Sequence, residues 1–87
     1  MAESTDTEGL LRRAAILITS ISDSQQADIV EYIDANELGL ALDTLCAFLY
    51  EDDLHLSHEA YHLLAKAGNA LGIEMRVWEK LKDLDQE

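Results

Sequence analysis

The side chains best suited to chemistry in this chain are three histidines, one cysteine and a large excess of carboxylates. His55, His58 and His62 fall within eight residues, beside Asp52 and Asp53. His58 and His62 stand at i, i+4 on one helical face, a spacing from which two imidazoles can chelate zinc. No cysteine pair accompanies them. The cluster is read as surface histidines rather than as a metalloprotease or zinc-finger centre, and no metal or other cofactor is expected. The stretch from Asp52 to Glu59 is too short for a calcium loop and lacks its central glycine. Cys46 lies between Leu45 and Ala47 with no cation near it in sequence, so a thiolate there would be desolvated and unassisted. It reads as an inert core thiol.

Other routes to catalysis fare no better. The four glycines are scattered and form no phosphate-binding loop. Paired carboxylates are so plentiful that no single pair stands out. Acyl carrier proteins need a serine at a helix start in an Asp-Ser-Leu context; here Leu42-Asp43-Thr44-Leu45 puts a threonine inside a helix. The chain is not expected to be an enzyme.

The elements that position these residues are helical. Leu and Ala number 26 against 12 for Val, Ile and Thr, there is no Pro, and no alternating run or hairpin dipeptide appears. An all-α fold is expected, a compact bundle of four to five short helices in one domain spanning residues 1–87. Thr5 and Glu8 have capping-box spacing and predict a first helix from about Asp6 to Ser20. Ser22 and Gln25 repeat the box, and Ile29, Val30 and Ile33 then mark an inner face. Asn36 is the expected cap of a third helix from Glu37 to about Glu51, striped by Leu38, Ala41, Leu42, Leu45 and Leu49. Asp52 to Leu56 reads as a connector, with Ser57 capping a fourth helix that ends at Leu71. Gly72 occupies the left-handed position after that helix, with Ile73 as its apolar companion. A short fifth helix, Glu74 to Leu84, packs Val77, Trp78 and Leu81 on the bundle.

Charge gives the strongest functional signal. Eighteen Asp and Glu against six Lys and Arg leave a net charge of −12. That excludes DNA, RNA and anionic membrane as default partners and favours a cationic protein. The single cysteine fits a reducing compartment. There is no ~20-residue apolar run to span a membrane, and the acidic start MAESTDTEG is unlike a signal peptide. A cytoplasmic location is expected. Between Arg13 and Lys66 there are ten acids and no Lys or Arg, while the rest of the chain carries eight acids and six bases. Such like charges repel one another, and surfaces usually intersperse both signs. Their concentration on helices two and three and the connector reads either as a solvated acidic face or as a field that attracts and orients a basic partner. In helix three, Leu40 and Ala47 fall opposite the core stripe, bordered by Glu37, Asp43, Thr44 and Glu51. The simpler expectation is that this helix is central and covered on both sides; the alternative is an apolar spot in an acidic rim, as at an interface. Tyr50, beside Glu51, Asp52 and Asp53, is an anchor candidate because its ring packs while its hydroxyl reaches out.

The segment Glu37-Leu-Gly-Leu-Ala-Leu-Asp-Thr-Leu-Cys-Ala-Phe-Leu-Tyr-Glu-Asp-Asp resembles the signature of the MafI-like immunity proteins. These are small partners of polymorphic toxins and contact-dependent inhibition systems in bacteria. The shared features fall at Glu37, Ala41-Leu42, Asp43, Leu45, Leu49, the acidic connector Glu51 to Asp53, Leu71-Gly72 and Trp78. They cover roughly Tyr32 to Leu81. Helix one has no counterpart in the pattern, and Asn36 stands where many relatives have Gly. The resemblance implies a protein that binds a cognate toxin domain, usually a nuclease, in the cytoplasm of the producing cell. A nuclease presents a basic surface to its phosphate-rich substrate, so this inference meets the charge argument. The toxin-binding candidates are Glu31, Asp34, Glu37, Asp43, Tyr50, Glu51, Asp52 and Asp53, acting as charge complement and anchor. Two rival readings remain: an acidic helical adaptor or regulatory subunit of another basic cytosolic protein, and a metal-responsive module using the three histidines.

Overall fold

Asp6 accepts a hydrogen bond from the Gly9 backbone N–H at 3.0 Å and so caps the first helix, α1, Thr7–Leu17. The computed structural model describes residues 6–52 and 54–86; Thr5, the expected cap, lies outside them. α1 stops at Leu17, three residues short of the expected end. Ile18 turns extended, so that Ile18 and Ile21 can both be buried on the way into the next element. The Gln26 side-chain amide donates to the Ala15 carbonyl at 3.0 Å and satisfies part of that open helix end.

α2, Asp23–Asp34, begins with the reciprocal box the spacing predicts. Ser22 accepts from the Gln25 N–H, and the Gln25 side chain accepts from the Ser22 N–H, each at 3.0 Å. Its far end corrects the role expected of Asn36. The Asn36 N–H donates to the Ile33 carbonyl and the Glu37 N–H to that of Tyr32, with Asn36 at φ 62°. This is a Schellman closure of α2, not the cap of the following helix. Asparagine tolerates the left-handed region because its short polar side chain bonds locally. α3, Leu38–Glu51, therefore starts from Glu37 with no side-chain cap.

The connector is tied down by the Ser20 hydroxyl, which donates to the His55 carbonyl at 2.7 Å. Ser57 then caps α4, His58–Leu71, by accepting from the Ala60 N–H at 3.1 Å. Gly72 ends α4 at φ 74°, with the Ile73 N–H on the Gly68 carbonyl, as expected. The last segment is not one helix. A single α-turn, α5, Arg76–Glu79, runs into a 3-10 helix, Lys80–Leu84. Trp78, Leu81 and Leu84 recur every third residue and are all buried. A period of three lines up on a 3-10 helix and drifts on an α-helix. Beyond it, Asp85–Gln86 pairs in parallel with Leu56–Ser57, a two-residue ladder that the sequence does not announce.

The architecture is all-α apart from that ladder. α1 packs most extensively on α4 and α2 on α3, with the C-terminal turns laid against α3 and α4. The core includes Leu11, Ile29, Ile33, Leu42, Leu45, Leu49, Leu64 and Leu81, and no polar or charged side chain is buried among the described residues. Each fully buried Leu or Ile contributes about 1.5–3 kcal/mol by removal from water. Val30 is the exception on the predicted inner face of α2, being only half-buried.

Candidate protein-binding face

α2 and α3 pack on each other, and their exposed sides carry the acids. Glu31, Asp34, Glu37, Asp43, Tyr50, Glu51 and Asp52 are all exposed. Asp53, the eighth candidate, lies outside the described residues. Helical spacing sets Leu40, Asp43, Ala47 and Tyr50 on one outer stripe of α3. Leu40 is 45% exposed and Ala47 half-buried, so helix three is covered on one side only, against the simpler expectation. The stripe sets exposed apolar atoms of Leu40 and Tyr50 among carboxylates, with Asp43 within it and Glu37 and Glu51 at its borders, a mixture of apolar and polar groups that an interface can use. On α2, Asp23, Glu31 and Asp34 border a shallow depression floored by Ala27 and Val30.

The candidates are not electrostatically equivalent. Asp34 accepts from Arg12 of α1 at 2.7 Å, and Arg12 also holds Glu8 at 2.8 Å. The Asp34 hydrogen bond first, then that of Glu8, raises the Arg12 guanidinium above its ordinary range. Asp34 thus helps to join α1 to α2. Among the described residues Glu31, Glu37, Asp43, Glu51 and Asp52 have no ion-pair partner. Glu51 and Asp52 stand at the C-terminal, negative end of the α3 dipole, with no base in the last turn. On the neighbouring Tyr50, the Lys80 ammonium sits 4.8 Å from the ring centroid. Tyr50 remains 53% exposed beside it. Sequence spacing pointed to Tyr50 as an anchor but gave no sign of this cation, which arrives from the C-terminal 3-10 helix.

The histidines require a correction. His58-Glu59-Ala60-Tyr61-His62 has the His-Glu-x-x-His order of zinc metalloproteases, so the motif that the sequence reading set aside is present as a string. A catalytic zinc site of that kind needs a third protein ligand. Among the described residues no three His, Cys, Asp or Glu side chains converge. The His58 and His62 rings stack with centroids 6.1 Å apart and share their groove with Arg13 and Lys66, two cations that oppose a metal ion. His55 stands apart in the connector and is exposed.

Cys46 is 1% exposed, and burial pushes its thiol up to about 12, with Lys80 acting weakly the other way. A thiol so held is a poor nucleophile at neutral pH. No helix among the described residues is long and apolar enough to cross a membrane. Comparison with known protein families, curated proteins and solved structures finds no match to this chain.

Proposed function

We propose that the chain is an immunity protein, which binds a cationic bacterial toxin domain, a nuclease, and neutralises it stoichiometrically and without catalysis. The observation that carries this reading is that Glu31, Glu37, Asp43, Glu51 and Asp52 are exposed and, among the described residues, have no ion-pair partner. Carboxylates left unneutralised next to exposed Leu40 and Tyr50 suit a basic surface that has apolar contacts of its own. Occupying a nuclease's phosphate-binding ground excludes the nucleic acid, and opposite charge speeds the encounter. The likeness of Glu37 to Asp53 to the MafI-like signature points the same way. At position 36 the left-handed backbone is one that glycine also adopts, so Asn36 is compatible with a pattern that has Gly there.

The test is co-expression with the polypeptide encoded immediately upstream, scoring survival and co-purification. The expected result is a neighbour lethal alone, and rescue by this chain in a one-to-one complex. Reversing Asp52 and Asp53 together to Lys should slow association at low salt and flatten its salt dependence. A harmless neighbour that does not bind would remove the immunity reading and leave that of an acidic adaptor for another basic protein.

A further inference from the structure

The groove between α1 and α4 gathers two cations and two histidines beside a single carboxylate, unlike the acidic face of α2 and α3. It is lined by Arg13, His58, Glu59, His62, Leu63 and Lys66, with nothing from α2 or α3. His58, His62 and Lys66 stand at i, i+4 and i+8 along α4 and form one ridge facing Arg13 of α1. Arg13 and Lys66 are the two residues that bracket the cation-free stretch of the sequence, and folding places them together. Acids outnumber bases three to one in this chain, so a surface cation should readily find a carboxylate. Arg12, Arg76 and Lys82 do, and Lys80 lies over the Tyr50 ring, yet Arg13 and Lys66 form no ion pair among the described residues.

We propose that this groove is a binding site for a compact oxyanion, a phosphoryl or carboxylate group. Arg13 supplies a planar fork that matches either group through two parallel N–H donors. Lys66 adds a mobile point charge, and His62 a ring N–H donor. Leu63 forms an apolar floor that excludes water from one side. Glu59 limits the site to one small anion. An extended polyanion such as nucleic acid would run from this groove onto the acidic remainder and be repelled. A divalent metal would have to sit beside two permanent cations, and among the described residues no three His, Cys, Asp or Glu side chains converge to hold it. The site does not depend on the immunity reading, since it shares no residue with the acidic face.

The experiment is a side-chain NMR titration of the full chain, following the Arg13 Nε–H and the His62 ring. Inorganic phosphate, a short Asp- and Glu-containing peptide and zinc are added separately at constant pH and ionic strength, with chloride as control. Two charge-assisted hydrogen bonds support a dissociation constant on the order of 1 mM. Saturable shifts with phosphate assign a phosphoryl site, and saturation by the peptide alone assigns a carboxylate site. The double variant Arg13→Gln, Lys66→Gln should weaken either by tenfold or more while Trp78 fluorescence and melting stay those of the parent. Linear shifts equal to those of chloride would overturn the proposal. So would an unchanged affinity in the double variant, or saturation by zinc with no response to either anion.

Discussion

Cys46 and Gly68 show how far single positions are set by what packs on them. The Cys46 thiol is raised from 9.0 to about 12 by burial, so the folded chain holds this proton more tightly than the unfolded chain does. The contribution to stability is complete below pH 9 and is lost as pH rises from 9 towards 12, at about 1.4 kcal/mol per pH unit. Denaturant melts of the parent and of Cys46→Ala should therefore converge above pH 9, even though the variant starts lower at pH 7 because of its small cavity. Parallel curves would show that the thiol ionises as freely in the fold as outside it. Gly68 is constrained by shape instead. A Cβ built there would run into the six-membered ring of Trp78, which is itself buried. Gly68→Ala gains about 1 kcal/mol of helix propensity but forces the indole out of its seat. A net loss of about 1–3 kcal/mol is expected, with a red-shifted Trp78 emission in the folded state. An unshifted spectrum with raised stability would show that the ring moves without penalty.

At the scale of elements, what was legible in the sequence is what is locally determined. Ser22 with Gln25, Ser57, and Gly72 with Ile73 act within one turn of themselves, and each occupies its expected place. The misassignments occur where two neighbours had similar chemistry or where the cause is remote. Thr5 and Asp6 are both good caps, and the choice between them depends on which carboxylate or hydroxyl reaches the third N–H. The 3-10 geometry of Lys80–Leu84 goes with burial of Trp78, Leu81 and Leu84 as the C-terminal turns lie against α3 and α4, a tertiary cause. The same holds for the candidate surfaces: charge segregation and the opposite placement of Leu40 could be read directly, but the meeting of Arg13 with Lys66 in one groove could not. Asn36 offers a test of the local account. Asn36→Gly keeps the left-handed turn and should leave stability unchanged or raise it by a few tenths of a kcal/mol. Asn36→Val should lose about 1–2 kcal/mol, since a branched Cβ is disfavoured at φ 62°. Equal melting temperatures for the two variants would mean that the Schellman closure is not what joins α2 to α3.

Over the whole molecule, the proposed function requires the same carboxylates to do opposite things to the free chain and to a complex with a cationic partner. In the free chain a net charge of −12 repels itself, and Glu51 and Asp52 add an unfavourable term at the end of α3. Raising salt shortens the screening length from about 30 Å at 0.01 M to about 10 Å at 0.1 M, so the free chain should melt at a higher temperature in salt. Association with a cationic partner should weaken over the same range. Reversing Glu51 and Asp52 to Lys separates the two effects. Each reversal replaces a repulsion with an attraction at the helix end and should stabilise by roughly 0.3–1 kcal/mol, about 2–8 °C in melting temperature. The variant should also show a flatter dependence of melting temperature on salt, and a slower on-rate for the partner at low salt. A surface that is merely solvated predicts the first change without the last. A functional surface predicts that the more stable protein is the poorer binder, because the field that destabilises the fold is the field that draws the partner in. A variant that is both more stable and as fast to associate would place the binding energy elsewhere, on the Leu40 to Tyr50 stripe rather than on its acidic border.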